Sequence, residues 1–408
     1  MTARKSTGGT AAEVRTSDVI AFRLNAHHLT NRQPVADLHR VAGACGIQNS
    51  PPGSALLALH SRVEEVTQDR VDHLVGEEKS LLQTWCMRGA PFYFPTVDAP
   101  VFTTGVLPAT EAARLHLISG IDQALNKLGM GLDEAVEITA EEIGAVLSER
   151  QLAINELGEE LAERIAGRLS PAQRKTWQAK GPYGANQPLG EAVVHFCIRM
   201  LTLRGIVCIA PRSENKAPFV LFDEWLGRPL PQVDPDSARA GLLRRYLHCY
   251  GPSTRKDFAT WVGVHAGDVD PWWTTLEDEL IPVEFDGHRA WILADDLEAL
   301  QSPSETRGVQ LLPPRDPYTQ MRDRETIVDK KHHRHVWKSV GEPGAVLADG
   351  TIVGIWRPRK SGRQLALTVQ TFRSLSTELR KQLREEADHV AELRGASGVQ
   401  VTFDDETR

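Results

Sequence analysis

Gln48, Asn49 and Ser50 form a run of two amides and a hydroxyl that ends at Pro51 and Pro52. Because proline cannot continue a helix and restricts the residue before it, the run is predicted to form a fixed, non-helical bend. Such a dense set of donors and acceptors can hold a water molecule or a sugar. The alternative is a turn whose side chains only cap nearby backbone, and this stretch alone favours that alternative.

A second group of residues is basic and favours a function on DNA. Between Arg307 and Arg363 the chain has twelve Lys or Arg against six Asp or Glu, although the net charge of the whole chain is −7. This asymmetry indicates one basic face suited to a polyanion. The basic residues predicted to contact DNA phosphates are Arg88, Arg322, Arg324, Lys331, His333, Arg334, Lys338, Arg357, Arg359, Lys360 and Arg363. The alternatives are a solvated helix face around His333 and an exposed loop at Pro358 to Arg363.

The sequence offers no pattern typical of a metal or cofactor site. The five cysteines are odd in number and far apart, and no CxxC pair exists. This spacing argues against a thiolate zinc site and against a disulfide framework. The histidines of the run 330–335 lack a partnered Cys or carboxylate spacing. The chain is therefore predicted to need no metal or cofactor, to work in the reducing cytoplasm and, since no apolar run could span a bilayer, to have no membrane partner.

The elements that must position these residues are predicted to be mostly helical with small β elements, an α+β fold. A length of 408 residues suggests two to four domains. Met1 to Thr16 is predicted to be a disordered tail. The N-terminal region is predicted to contain helices at Val19–Leu29, Pro34–Ala44, Ser54–Val63, Gln68–Val75 and Glu78–Trp85, and a strand at Pro91–Pro95.

The next region has the element order of a winged helix. Its predicted helices are Glu111–Leu128, Glu141–Leu147 behind a capping box at Thr139, Glu149–Leu169 and Gly190–Leu203. Its predicted strands are Ile206–Ala210 and Phe219–Phe222.

The same order recurs more clearly further on. Helices are predicted at Gly241–Tyr250, Arg255–Val262 and Val269–Leu280, with Ser253 or Thr254 as the N-cap of the second. A hairpin of Ile281–Phe285 and His288–Leu293 around an Asp-Gly turn is predicted to follow. The last segment is predicted to contain strands at Val309–Leu312, Ala345–Ala348, Thr351–Trp356 and Gln364–Phe372, and an edge strand at Val399–Phe403. A basic turn at Pro358–Arg363 and a helix at Ser376–Leu393 are also predicted. The predicted domains are 17–110, 111–235, 236–303 and 304–408.

Five groups of residues are specific when they are taken together. They are Gly46–Ser50; Gln83–Gly89; Tyr250–Thr254 with Asp257–Phe258; Leu311–Tyr318 with Arg322–Asp323; and Gly341–Gly354 with Trp356–Arg357. With these groups the chain resembles the AlkZ/YcaQ family of winged-helix DNA glycosylases from about Ser17 to Phe403.

The resemblance implies tandem winged-helix domains in a C-shaped arrangement with a C-terminal β-rich domain. It implies a protein that excises alkylated purines, notably N7-alkylguanine. The expected partner is double-stranded DNA, the expected oligomeric state is a monomer, and the expected location is the nucleoid in the cytoplasm. Some members unhook interstrand crosslinks made by natural-product toxins, which suggests self-resistance. The catalytic signature of the family is Gln-x-Gln or Gln-x-Asp, so Gln48 matches the first position and Ser50 departs from the third.

An N7-alkylated purine already carries positive charge, so its glycosidic bond needs little protonation of the leaving group. The enzyme must place a water molecule and stabilise an oxocarbenium-like sugar, and amide oxygens can do both. Gln48 is predicted to position the water or the sugar. Ser50 can hold the same water, although its hydroxyl is shorter than an amide, and Asn49 contributes if the backbone turns it inward.

Two classes of function remain open at this point. The first is a DNA glycosylase with one deep basic channel faced by Gln48 and Ser50. The second is a winged-helix DNA-binding or lesion-recognition protein without catalysis. Acidic residues crowd the segment Val269–Leu280, and phosphates would repel such a recognition helix, so the glycosylase is favoured.

Overall fold

The computed structural model describes residues 12–184, 186–212 and 216–405. Helices joined by three small sheets make up this part of the chain, so the predicted α+β class is confirmed. Most of the predicted tail, residues 1–11, lies outside the described residues. The end of that prediction is wrong, because Ala12–Glu13 form strand β1 and helix α1 already begins at Thr16. Within the described ranges, no helix is both long and apolar enough to cross a membrane.

The N-terminal region supplies the bend and most of one sheet. Its elements are β1 (Ala12–Glu13), α1 (Thr16–Ala26), α2 (Leu38–Gly43), β2 (Ile47–Gln48), α3 (Ser54–His60), α4 (Gln68–Gly76), β3 (Leu81–Trp85), β4 (Pro91–Pro95) and α5 (Ala99–Phe102). The predicted helix at Glu78–Trp85 is wrong. Its second half is β3, a strand with neighbours on both sides, and pairing with β4 outweighs the local helical pattern.

The second region is helical and ends in two strands. Its elements are α6 (Glu111–Leu117), α7 (Asp122–Leu128), α8 (Leu132–Leu147), α9 (Ile154–Ala166), α10 (Pro171–Gln178), α11 (Leu189–Leu203), β5 (Val207–Ile209), β6 (Phe219–Leu221) and α12 (Phe222–Leu226). The predicted helix Glu111–Leu128 is two helices, because Gly120 between them has a φ of +105°. The predicted cap at Thr139 is wrong, since its hydroxyl donates to the Ala135 carbonyl at 2.7 Å inside α8.

The third region follows the predicted order closely. Its elements are α13 (Pro235–Tyr250), α14 (Arg255–Val262), α15 (Asp270–Trp273), β7 (Leu280–Phe285), β8 (His288–Leu293) and α16 (Leu297–Gln301). Thr254 caps α14 as predicted by accepting a hydrogen bond from the Asp257 amide at 3.2 Å. The predicted helix Val269–Leu280 keeps only one α-helical turn and continues as a 3-10 helix to Glu279. The assignment of this unit as a winged helix stays a prediction.

The C-terminal region is a five-stranded sheet covered by a helix. Its elements are β9 (Val309–Leu312), α17 (His333–Val336), β10 (Gly344–Ala348), β11 (Thr351–Ser361), β12 (Gln364–Thr371), α18 (Thr377–Leu393) and β13 (Gly398–Asp405). The edge position predicted for the last strand is confirmed. The predicted turn at Pro358–Arg363 is wrong for most of its length, because β11 pairs with β12 as far as Ser361.

One sheet matters most for the site. Its strand order is β2-β4-β3-β5-β6, so it joins strands of the first two predicted domains and leaves β2 at one edge. The register pairs Ile47 with Tyr93 and Gln48 with Phe92. The predicted boundary near residue 110 therefore divides two regions that share a sheet. The bend follows directly from the edge strand of this sheet.

Candidate active site

The bend after β2 has the predicted non-helical form. The Asn49 amide donates to the Pro91 carbonyl at 2.8 Å, and Gly53 takes a left-handed φ of +87° before α3 begins. The Asn49 side-chain oxygen accepts hydrogen bonds from the amides of Gly53 at 2.9 Å and Ala55 at 3.4 Å. Asn49 thus satisfies free amides at the start of α3, which is the capping role given above as the alternative.

Gln48 lies on one face of the sheet, and the neighbouring cleft lies on the other. Residues paired across antiparallel strands point to the same face, and successive residues alternate between faces. Gln48 pairs with Phe92, which pairs with Thr84, whereas Gln83 belongs to the opposite face. Gln48 is also only 3% exposed. It is therefore held in the protein interior and not on the wall of the cleft.

Arg88 is the described polar partner of Gln48. One Nη atom of Arg88 donates to the Gln48 side-chain oxygen at a distance of 3.5 Å. The other Nη atom donates to the carbonyl of Trp261. Arg88 has a left-handed φ of +56°, so the backbone turns sharply where its side chain enters the interior. The contact from the guanidinium orients the amide of Gln48. The sequence did not predict this pairing, because it assigned Arg88 to DNA phosphate alone.

Other guanidinium groups lie close to Arg88. Burial, and next the positive charge of Arg322, lower the pKa of Arg88. Arg315 also contributes to that effect, and its own ion pair is with Glu342 at 3.5 Å. Burial raises the pKa of Glu342, and the positive charges of Arg315, Arg324 and Arg322 oppose that shift. We refer to Arg88, Arg315 and Arg322 as the arginine cluster; its excess positive charge in a partly buried place attracts an anion such as a phosphate.

The opposite face of the sheet opens into a cleft of about 590 Å³ that begins at Asn49 and Ser50. Trp85 and Phe219 form an edge-to-face pair in its wall, with ring centroids 4.9 Å apart. Gln83 is 4% exposed, and its side-chain oxygen has no hydrogen-bond partner among the described residues. Aromatic rings, an unused acceptor and a hydroxyl suit a planar purine turned out of the helix. We call this space the Ser50 cleft.

The charged groups of the Ser50 cleft lie at its rim. Lys216 is paired with Glu156 at 2.5 Å, and Arg212 stands beside them. The hydrogen bond from Lys216 lowers the pKa of Glu156, so this carboxylate is ionised at neutral pH. An ionised carboxylate cannot donate a proton to a leaving base.

A family comparison decides what this arrangement belongs to. The family model described as DNA glycosylase AlkZ-like matches residues 41–393, which include the bend, the arginine cluster and the Ser50 cleft. The chain belongs to the AlkZ-like DNA glycosylase family. The resemblance found in the sequence is therefore confirmed.

Two comparisons with individual proteins agree with this membership. The chain of this AlkZ-like glycosylase is 24% identical to an interstrand DNA cross-link repair glycosylase of Streptomyces sahachiroi over 391 residues, which cover 94% of this chain and 97% of the relative. It also matches the solved structure of the Streptomyces sahachiroi DNA glycosylase AlkZ with a TM-score of 0.75 and 23% sequence identity. That match covers 96% of this chain and 100% of the other, and it shows a shared fold.

Several basic residues of the AlkZ-like chain that were predicted to bind DNA lie together. Arg322, Arg324 and His333 line a second cleft of about 580 Å³ between α14 and the segment that leads to α17. Arg324 lies over the ring of Trp337 at 4.6 Å. The exposed residues Lys331, Arg334 and Lys338 surround α17 next to this cleft. Arg322 also belongs to the arginine cluster, so the second cleft adjoins that cluster. The lining of the second cleft also includes the carboxylates of Asp257, Asp286, Asp323 and Glu325.

The remaining predicted residues are placed elsewhere. Arg357, Arg359 and Lys360 lie on β11, and Arg363 follows in the turn to β12. The ammonium of Lys360 donates to the Arg394 carbonyl at 2.6 Å, beyond the end of α18. Among the described residues, the side chains of Arg357, Arg359, Lys360 and Arg363 make no hydrogen bond to Gln48 or to the Ser50 cleft. The structure therefore separates these residues from the bend, and their contact with DNA stays a prediction.

The sequence missed most of the wall of the Ser50 cleft in this glycosylase. Neither Gln83 nor Trp85 was assigned a role in the site. The signal was present, because the alternation Gln83, Thr84, Trp85 places the outer two side chains on one face of a strand. Predicting a helix over these residues concealed that alternation. Phe219 comes from a strand far away in the chain, and only the sheet pairing brings it near.

Proposed function

We propose that this AlkZ-like DNA glycosylase hydrolyses the N-glycosidic bond of alkylated purines in double-stranded DNA. The substrates are N7-alkylguanine adducts, including bulky natural-product adducts and interstrand crosslinks. The observation that carries this proposal is the Ser50 cleft, which is lined by rings and amides next to the bend that bears Gln48. Its volume of about 590 Å³ exceeds the needs of an unmodified base and leaves room for a large substituent.

The edge position of β2 explains how one nucleotide can use both faces of the sheet. A nucleotide that docks at this edge can place its base in the Ser50 cleft on one face. Its phosphates then face the arginine cluster on the other. The sugar lies at the bend itself, between Gln48 and Ser50. In this arrangement, Gln48, oriented by Arg88, stabilises the sugar as positive charge develops, and the Ser50 hydroxyl holds the attacking water.

The lack of an acid among the described residues of the cleft supports a cationic substrate. Glu156 lies at the rim and is ionised through its bond to Lys216. A neutral purine leaves slowly unless it is protonated, whereas an N7-alkylated purine leaves as a neutral base. The enzyme therefore has no need of a general acid. It also needs no cofactor, because water is the only second reactant.

The basic residues of the second cleft and α17 bind the phosphates on either side of the lesion. Contacts of this kind position the enzyme without reading the sequence of bases. We infer that the protein acts as a monomer on nucleoid DNA in the cytoplasm. This placement follows from a substrate that is chromosomal DNA.

A second candidate function is recognition of the DNA lesion without hydrolysis of the glycosidic bond. Ser50 stands where the family signature has Gln or Asp, and the side-chain oxygen of Asn49 already accepts hydrogen bonds at the start of α3. A non-catalytic lesion-recognition protein would show both features.

Release of bases from alkylated duplex DNA separates the two functions. The wild-type chain should release N7-methylguanine, or a bulkier N7 adduct from a crosslinked duplex, and should leave unmodified DNA intact. Restoring the family signature with Ser50→Asp should raise the single-turnover rate of release by about tenfold. Tight binding of both substrates with no release by either protein would contradict the glycosylase and identify a lesion-recognition protein.

A further inference from the structure

A buried cluster of metal-ligating side chains lies below the bend. His27 ends helix α1, Cys45 precedes the glycine that leads into β2, and Cys249 lies in α13. One ligand atom from each residue lies within 4.8 Å of the other two. The three residues are 1%, 2% and 0% exposed. Three elements that are far apart in the chain thus bring two thiols and an imidazole to one point in the core.

Hydrogen bonding accounts for only one nitrogen of the buried His27 ring. Its Nδ1 lies 3.9 Å from the Cys45 sulfur, and its Nε2 has no hydrogen-bond partner among the described residues. The ring is held at steep angles by Tyr250 and Tyr318, with centroids 4.9 and 5.6 Å away. A buried imidazole normally satisfies its polar atoms, because leaving them unpaired costs free energy. An ion shared by both thiols and Nδ1 would replace the long contact between Nδ1 and the Cys45 sulfur with a bond. It binds one nitrogen of the ring only, so it does not account for Nε2.

We propose that His27, Cys45 and Cys249 bind a zinc ion. Zinc accepts mixed sulfur and nitrogen ligands, with bonds of about 2.3 Å to sulfur and about 2.1 Å to nitrogen. Tetrahedral angles then place the ligand atoms roughly 3.5 to 3.8 Å apart, close to the 3.9 Å found between His27 and Cys45. Closing the cluster around an ion requires only small side-chain movements.

The charge of the complex suits a buried place. Two thiolates and a neutral imidazole balance the two positive charges of zinc, so the complete site is neutral. A neutral complex avoids the large cost of burying a net charge. The Tyr250 hydroxyl lies 3.8 Å from the Cys45 sulfur but donates to the Pro317 carbonyl at 2.8 Å. It therefore supports the ligand from outside, and the fourth position is left for water.

Such a site would stabilise the bend without taking part in the reaction. Cys45 lies three residues before Gln48, so the ion would tie the start of β2 to α1 and α13. The expectation from the sequence was that no zinc site exists, because no CxxC pair occurs. That expectation used spacing along the chain, and these ligands meet only in the fold. Two other states fit the same residues: free thiols in the core, and a disulfide between Cys45 and Cys249.

Metal analysis of the full-length protein tests this site. The wild type, produced with zinc in the medium, should contain about one zinc per chain. Cys45→Ser and Cys249→Ser should lose it. Cys197→Ser and Cys208→Ser change buried cysteines outside the cluster and should keep it. Equal zinc in folded cluster and control variants would overturn the proposal.

A second measurement works if the cluster variants fail to fold. Cobalt exchanged into the wild type should produce the near-ultraviolet absorption of thiolate bound to cobalt. Wild type without zinc and without this absorption would overturn the proposal. Counting thiols after denaturation without reductant then identifies the state: five means free cysteines, and three means a disulfide. Neither the zinc content nor the cobalt absorption depends on base release. A negative result would therefore reject the zinc site and leave the proposed glycosylase function unaffected.

Discussion

Gln48 and Asn49 are neighbours in the chain, yet their side chains serve opposite faces of one sheet. Gln48 reaches Arg88 in the interior, whereas Asn49 borders the Ser50 cleft and the start of α3. The bend therefore presents Gln48 to one face of the sheet, and Asn49 to the face that carries the Ser50 cleft. We infer that a nucleotide must bind at the edge of β2 to use both.

Arg88 should act on catalysis through Gln48. Replacing Arg88 with Met removes the contact that orients the amide, and misplacing a catalytic group by about 1 Å costs roughly 10²-fold in rate. We expect the single-turnover rate of base release to fall by about that factor, with a smaller change in DNA affinity. Arg359→Met, on β11, is the matched control. If Arg88→Met and Arg359→Met lose DNA affinity equally and neither loses rate of base release, Arg88 only binds phosphate.

Gln83 should show opposite effects on activity and on stability. Its buried oxygen has no described partner, so Gln83→Leu removes an unsatisfied polar atom and should leave the thermal stability unchanged or higher. If the oxygen accepts a hydrogen bond from the extruded base, release of N7-methylguanine should fall by about 10-fold to 100-fold. Melting curves and release rates of one preparation check both effects. Unchanged release would exclude Gln83 from base recognition.

Asn49 should matter for stability more than for chemistry. Asn49→Ala removes the acceptor for two amides at the start of α3 and should destabilise the fold by about 1 kcal/mol. Asn49→Asp keeps an acceptor at the same place and should restore most of that stability. Urea unfolding measures both changes. A stable Asn49→Ala variant with a large loss of base release would instead make Asn49 catalytic.

Glu156 should not serve as a general acid. The bond from Lys216 lowers its pKa, so it is ionised at every pH above that lowered value and loses its charge only in stronger acid. Release of N7-methylguanine should therefore show no acidic limb from Glu156 between about pH 6 and 8. Glu156→Gln should release this base within about twofold of the wild-type rate. If the wild-type pH profile of base release has a limb that disappears in Glu156→Gln, Glu156 does take part in proton transfer, contrary to this prediction.

Local patterns predicted much of the fold. The Asp-Gly hairpin of β7 and β8 and the cap at Thr254 depend on residues next to one another in the chain, and both were predicted. Strand β3 was missed because its strand form depends on β4 and β5, which local periodicity does not contain. The cluster of His27, Cys45 and Cys249 was missed for the same reason.

The candidate site was predicted in part. Its position at Gln48 and Ser50 followed from the proline-bounded run and from the family motif. The division between faces could not be predicted, because it needs the register of β2 on β4. The contact of Arg88 with Gln48 also depends on Trp261, which lies in a different region of the chain.

The most direct measurement is single-turnover release of N7-methylguanine from duplex DNA by the wild type, by Gln48→Ala and by Gln151→Ala. Gln151 is an exposed glutamine that lies outside the Ser50 cleft, so it controls for loss of an amide. A glycosylase centred on the bend predicts release by the wild type and by Gln151→Ala, and a loss of about 10²-fold or more in Gln48→Ala with DNA binding retained. Equal release by all three proteins would place the reaction elsewhere and contradict the assignment of Gln48.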